Sequence, residues 1–143
     1  MTEKQKNQKG VLLVGSGSAI PKQVITNDQL ASRVDTSDEW ISTRTGIRQR
    51  RILSKEESFL ELCSHAGSNA IAMAGWDPET IDIVILATST PDDLFGSAAK
   101  VQASLGAHNA FAFDLTAACS GFLFALITAG QYLRNGSMQR AIV

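Results

Sequence analysis

Two cysteines in 143 residues, Cys63 and Cys119, are too few for a disulfide framework. A chain of this length, 44% hydrophobic and 19% charged, is large enough to hold itself together with an ordinary core, and both sulfurs are expected as free thiols. Neither sign of charge is in excess: 13 Lys and Arg against 14 Asp and Glu leave −1, which argues against nucleic acid or an anionic membrane as the main partner. Long hydrophobic runs are missing from the start of the chain. Val11-Leu-Leu-Val14, behind a polar tail, is far too short for a signal peptide or a membrane span, and a cytoplasmic protein is expected. A third glycine is missing as well: Gly15-x-Gly17 is followed by Ile20 and Pro21, which excludes a dinucleotide-binding loop. Internal repeats, linkers and low-complexity segments are likewise lacking.

What remains is an alternation of strands and helices. Residues 1–9 read as a polar, disordered tail and residues 10–143 as one domain. Val11–Gly17 reads as a first strand. Thr26 or Asn27 caps a short helix running to Ser32, and a second helix starts within Asp35–Ile41. Ser54-Lys-Glu-Glu57 has capping-box spacing, and Phe59, Leu62, Cys63, Ala66, Ala70, Met73 and Ala74 then recur at helical intervals until Gly75. Ile81–Thr88 is a β-branched strand. A small-residue helix follows from Phe95 to Leu105, closed by Gly106, then a strand at 110–115 and a helix to Asn135-Gly136. Ala141-Ile-Val143 begins another strand, too short for a natural one, so the chain is expected to be a piece of something larger. This order predicts an α/β fold with parallel strands and helical crossovers.

One stretch stands out, Asp114-Leu-Thr-Ala-Ala-Cys119-Ser-Gly-Phe122. It places Cys119 among very small residues where a strand turns into a helix. A thiol there meets unpaired backbone N–H groups, a setting in which sulfur nucleophiles work. Ala117, Ala118, Ser120 and Gly121 leave room for a thioester and for an N–H facing a developing oxyanion. Pattern alone leaves two readings open, a nucleophile or a buried core thiol. Cys63, on the apolar face of its helix, reads as core.

Together with Val34-Asp-Thr-Ser-Asp-Glu-Trp-Ile-Ser-Thr-Arg-Thr-Gly-Ile-Arg48 and Phe95-Gly-Ser-Ala-Ala99, that stretch resembles the amino-terminal part of β-ketoacyl-acyl carrier protein synthase III. This family comprises the initiating condensing enzymes of type II fatty acid synthesis. The resemblance runs collinearly from about Val11 to Val143. It implies a partial thiolase-like fold, most of the first α/β half of a five-layered αβαβα subunit, truncated at its carboxy-terminal end and dimeric in full-length form. It implies that Cys119 is the nucleophile that takes an acetyl group from acetyl-CoA or another short acyl-CoA. Malonyl-acyl carrier protein is then the second substrate. Trp40 and Arg44 match residues at the mouth of the CoA tunnel, where an indole stacks on adenine and a guanidinium meets phosphate. Thr36 matches a nearby adenine contact. Phe95 matches the aromatic that reaches the partner subunit's acyl pocket. No metal and no resident cofactor is implied, the CoA thioester being a substrate.

Each role has a plainer rival. Trp40 also fits a core or dimer contact, Phe95 ordinary packing, and Arg44, Arg48, Arg50 and Arg51 a solvated loop or an attraction to acidic carrier protein. The histidine and asparagine that the family uses at the malonyl step fall beyond the matched motifs, and His65 and His108 are not placed to replace them. A related polyketide starter or acyl-transferring condensing enzyme is the alternative, and a non-catalytic truncated chain a further one.

Overall fold

The structure, a computed structural model, describes residues 10–91 and 94–143, so the tail expected over residues 1–9 lies outside the described residues. The chain divides into two compact units, Ala19–Leu62 and a second in which Cys63–Val143 joins the residues up to Ser18.

In the Ala19–Leu62 unit, β1 (Gln23–Thr26) and β2 (Gln49–Ile52) pair antiparallel, with Ile25 opposite Arg50. Two helices, α1 (Asn27–Ala31) and α2 (Asp38–Thr45), run between them. Thr26 caps α1 in a reciprocal capping box with Gln29, and Ser37 caps α2 by accepting the Trp40 N–H at 3.0 Å. Gly46 ends α2 with φ +72°. The strands were not legible, because each has four residues and the second reads Gln-Arg-Arg-Ile. Polar contacts secure them instead. Asn27, 1% exposed, donates from Nδ2 to Asp38 Oδ1 (2.7 Å) and to the Ile47 carbonyl (2.8 Å), while its Oδ1 accepts from Arg50 Nη2 (2.6 Å). A buried amide is tolerable only with its groups satisfied, and here that requirement ties α1, α2 and β2 together.

The Ser54–Glu57 box closes a turn and does not start the helix. Glu57 Oε2 accepts the Ser54 N–H at 3.1 Å, but its Oε1 is committed to the Lys22 N–H at 2.8 Å, which fixes the segment outside the helix. The next helix, α3 (Phe59–Ala74), begins later, with Ser58 Oγ accepting the Glu61 N–H at 3.4 Å, and Gly75 ends it as expected at φ +66°. Its buried positions are Ser64, Gly67 and Ile71, while Met73 is exposed, so the inward face is rotated from the one the apolar spacing predicts.

The second unit carries a parallel sheet in the order β4-β3-β5, with β3 (Ile83–Ala87) between β4 (Phe111–Leu115) and β5 (Ala141–Ile142). Two helices make the crossovers, α4 (Ala98–Ser104) and α5 (Gly121–Arg134). Ile83, Ile85, Ala125 and Ala129 form a core against which Phe113, Leu115, Tyr132 and Met138 pack. At burial of this kind each branched side chain contributes about 1.5–3 kcal/mol. Asp82 docks β5 beside β3 by accepting the N–H groups of Gln139 (2.7 Å) and Arg140 (2.9 Å) on one carboxylate oxygen.

Val11–Gly17 is not a strand, contrary to expectation. It joins neither outer edge of the β4-β3-β5 sheet and lies against α3 instead. A Cβ on Gly15 would stand 2.3 Å from the Ala70 carbonyl oxygen, and one on Gly17 2.0 Å from that of Ala66. The two glycines therefore serve a close backbone approach to a helix. Between this segment and β5 lies a cleft of about 440 Å³, mostly apolar, which α3 and α5 also line.

Candidate active site

Cys119 lies in a single 3₁₀ turn, Ala118–Ser120, between the end of β4 and the start of α5. The strand-to-helix placement read from the sequence is therefore the one observed. Its thiol is exposed in this chain, whereas Cys63 is a half-buried thiol on α3. Two features hold the turn. Thr116 donates from Oγ1 to the Thr88 carbonyl at 2.7 Å, fastening the residues after β4 to those after β3, and the Ser120 N–H bonds the Ala117 carbonyl at 3.0 Å. Ala118, immediately before the cysteine, has φ +46°, the only non-glycine residue with positive φ among the described residues. An alanine held there costs of order 1 kcal/mol, which the surrounding contacts must offset. The buried Gly121 completes the clearing: a Cβ there would stand 3.4 Å from that of Ala87. The 440 Å³ cleft is lined by Cys63 and not by Cys119, which is exposed.

Phe95 precedes α4 and is 95% exposed. The helix expected from Phe95 starts only at Ala98, because Gly96 takes φ +82° and the chain enters the helix through Ser97. Asp114 of β4 receives that helix start. Both its carboxylate oxygens lie within 3.0 Å of the Ser97 N–H, and Oδ1 accepts the Ala98 N–H at 2.6 Å. The sequence alone gives Asp114 no role. An acidic residue at a strand's end, ahead of a helix one crossover back, is no local signal.

Trp40, Arg44 and Thr36 belong to the Ala19–Leu62 unit. Trp40 and Arg44, one turn apart on α2, meet: the guanidinium carbon sits 4.5 Å from the indole centroid, and Nη1 donates to the Trp40 carbonyl at 3.3 Å. The indole remains 54% exposed. Thr36, half-buried, precedes the cap Ser37. The other arginines have local work. Arg48 pairs with Asp38 at 3.8 Å, Arg50 bonds Asn27 and the Ile25 carbonyl, and Arg51 bonds the carbonyls of Pro21 and Lys22. Among the described residues no group of three or more His, Cys, Asp or Glu is placed to hold a metal ion, and no helix is long and apolar enough to cross a membrane.

Comparison with known proteins agrees with this layout. The model of the family described as 3-oxoacyl-[acyl-carrier-protein] synthase III matches residues 113–143, the stretch from β4 through the cysteine turn and α5 to β5. The chain is 66% identical over 134 residues to the β-ketoacyl-[acyl-carrier-protein] synthase III of Prochlorococcus marinus strain NATL2A, covering 94% of this chain and 40% of that protein. It is 62% identical to that of Prochlorococcus marinus strain SARG over all 143 residues, which make up 42% of the relative. The crystal structure of the Aquifex aeolicus 3-oxoacyl-[acyl-carrier-protein] synthase III superposes with a TM-score of 0.88 at 45% identity, covering 92% of this chain and 43% of that one. A priming β-ketosynthase from a polyketide biosynthetic pathway gives a TM-score of 0.84 at 37% identity, covering 88% of this chain and 38% of that one. The chain thus spans about two fifths of the length of the relatives it matches. With a partial thiolase-like α/β fold and a free cysteine at the strand-to-helix turn, the chain is similar, over nearly its whole length, to about two fifths of the β-ketoacyl-[acyl-carrier-protein] synthase III proteins.

Proposed function

We infer that this chain is the nucleophile-bearing part of an initiating condensing enzyme of type II fatty acid synthesis. The observation that carries the reading is Cys119: exposed, framed by small residues, and held at the turn between β4 and α5 in a chain 62% identical along its whole length to a β-ketoacyl-[acyl-carrier-protein] synthase III. In the complete enzyme the Cys119 sulfur attacks the carbonyl carbon of acetyl-CoA or another short acyl-CoA. The carbon–sulfur bond to CoA breaks, CoA leaves as its thiol, and the acyl group stays on Cys119 as a thioester. Malonyl-acyl carrier protein then loses carbon dioxide, and the electron pair of the broken bond forms an enolate. That carbanion attacks the Cys119 thioester, expelling the thiolate and giving acetoacetyl-acyl carrier protein.

Within this reading Trp40 and Arg44 meet the adenine and phosphate of CoA, Thr36 the adenine edge, and Phe95 the acyl pocket of a partner subunit in a homodimer. The CoA thioester is substrate, with no resident cofactor, and the setting is cytoplasmic. The arginines beyond Arg44 are spent on Asp38, Asn27 and backbone carbonyls, which leaves little reason to give them to carrier protein. A polyketide starter role rests on the 37% identical priming ketosynthase, a weaker likeness than the 45% identical synthase.

The test is a complete synthase in which these 143 residues replace the matching segment of the Prochlorococcus marinus strain SARG relative. Intact-mass spectrometry after treatment with acetyl-CoA is expected to show one acetyl group, lost in Cys119→Ala and kept in Cys63→Ala. An acetyl group that survives Cys119→Ala overturns the assignment.

A further inference from the structure

Asp114 and Phe95 belong to different segments, yet one carboxylate joins them. Asp114 is the fourth residue of β4, beside Leu86 of β3, and five positions before Cys119. Phe113 and Leu115, its neighbours in the strand, pack on the core that includes Ala125 and Ala129 of α5. By strand alternation Asp114 points to the opposite face, where it takes the Ser97 N–H at 3.0 and 2.9 Å and the Ala98 N–H at 2.6 Å. Ser97 and Ala98 are 0% and 1% exposed, while Phe95 two residues upstream is 95% exposed. Between them Gly96 stands at φ +82°, and a Cβ on it would come 2.9 Å from Asp114 Cγ. An immobilised pair of residues, a glycine pressed on the same carboxylate and a projecting aromatic ring follow one another directly.

We propose that Asp114 is a positioning residue that sets the reach of Phe95 and thereby the length of acyl group the enzyme accepts. The carboxylate does not touch substrate. It fixes the backbone on which Phe95 stands, and it does so from the strand that delivers Cys119, so the primer gate and the nucleophile turn share one anchor. Charge-assisted bonds from two N–H groups make that anchor stiffer than a neutral cap. Asparagine keeps one acceptor oxygen, loses the charge, and cannot hold both N–H groups in the same way.

The proposal rests on the reading of Phe95 as part of the acyl pocket, and the test separates the two. The replaced-segment synthase is assayed for condensation with acetyl-CoA and with hexanoyl-CoA, in four forms: parent, Asp114→Asn, Phe95→Ala, and the double variant. The expected result is that Asp114→Asn changes the acetyl-to-hexanoyl ratio of kcat/KM by roughly tenfold, the scale on which a pocket boundary discriminates chain length. In the Phe95→Ala background the same substitution should change it less than twofold, since the effect runs through that ring. A Phe95→Ala variant with the parent's ratio overturns the pocket reading, and the inference with it. A Phe95→Ala effect accompanied by an Asp114→Asn ratio equal to the parent's overturns the inference alone. Equal shifts in both backgrounds would make Asp114 a helix cap and no more. Should Asp114→Asn not fold, Gly96→Ala, which presses on the same carboxylate, decides by the same ratios.

Discussion

The guanidinium of Arg44 lies over the indole of Trp40, 4.5 Å from its centroid, and the same side chain donates to the Trp40 carbonyl at 3.3 Å. Both contacts follow from one turn of α2, which puts positions four apart on one face. One face of the indole is thus already covered by a cation, and the planar ligand that the CoA reading calls for stacks on the other face or displaces Arg44. Removing Arg44 should weaken CoA binding by about tenfold, the worth of one charge-assisted phosphate contact, and make it less sensitive to salt. Titration calorimetry at two ionic strengths reads this. Alkylation of Cys119 by iodoacetamide should proceed at the parent rate; a matching fall there would mean a collapsed fold and not a lost contact.

Ala118 gives a prediction about strain. Its φ of +46° is open to alanine at a modest cost and nearly closed to β-branched residues. Ala118→Val should lower stability by about 2 kcal/mol, whereas Ala118→Gly should stay within about 1 kcal/mol of the parent, relief of strain being offset by glycine's freedom in the unfolded chain. Urea midpoints measure both. A valine variant as stable as the parent would show that the turn does not hold this conformation in solution.

The approach of the Gly15–Gly17 segment to α3 is tested by adding a methyl group. Gly17→Ala would place Cβ 2.0 Å from the Ala66 carbonyl oxygen and 2.7 Å from the Ala70 nitrogen, both backbone atoms of a helix that cannot easily give way. The expected loss is about 1–3 kcal/mol, with faster proteolysis after residues 11–14. Gly10→Ala, with nothing within 4 Å, serves as the control and should change neither.

Much of this molecule is written locally, and the parts that are not share a cause. The cysteine turn was legible because the short apolar strand, the cluster of small residues and the long apolar helix are contiguous from Ala110 to Leu133. The starts of α1 and α2 were legible for the same reason, although the choice between Thr26 and Asn27 as the first cap, and the identity of the second, Ser37, were not. The strand expected at Val11–Gly17 failed because a strand is defined by its neighbours, and here α3 is the neighbour. The β1–β2 pair was invisible because a buried asparagine reaching Asp38, Ile47 and Arg50 stands in for the apolar alternation that marks most strands. Ser54 and Glu57 kept the spacing of a helix start, but Lys22, far away in sequence, claimed the carboxylate.

That claim has a pH signature. The Lys22 N–H foremost, and the Ser54 N–H after it, hold the Glu57 carboxyl below the ordinary glutamate value. A group with a lowered value in the folded state adds stability above the unfolded value, and this is lost as the pH falls through the folded one. The stability gap between the parent and Glu57→Gln should therefore be widest near neutrality and close as the solution is acidified below the glutamate range. Urea midpoints from pH 7 to pH 3 would show it, and a gap independent of pH would mean that the carboxylate charge plays no part.

The last expectation concerns the 143-residue chain by itself. Decarboxylating malonyl-acyl carrier protein requires groups that stabilise an enolate beside Cys119, usually donors aimed at the thioester oxygen. The chain's two histidines do not meet that need. His108 lies in the turn before β4 and Cys119 after its far end, so the five residues of Phe111–Leu115 separate them by about 16 Å at ~3.3 Å per residue, against the ~3 Å that proton transfer requires. His65 is exposed on α3. The same chain leaves Phe122, Leu123, Phe124 and Ile127 at least half exposed on α5, directly after the Cys119 turn, an apolar face that needs a cover to be stable in water. Purified alone, the chain should form no acetoacetyl-acyl carrier protein above background from radiolabelled acetyl-CoA and malonyl-acyl carrier protein, and product should appear once the segment is set in the complete synthase. Robust condensation by the 143 residues would mean that enolate stabilisation comes from groups within them, and the assignment of their catalytic chemistry would have to be rebuilt around Cys119 and its immediate backbone.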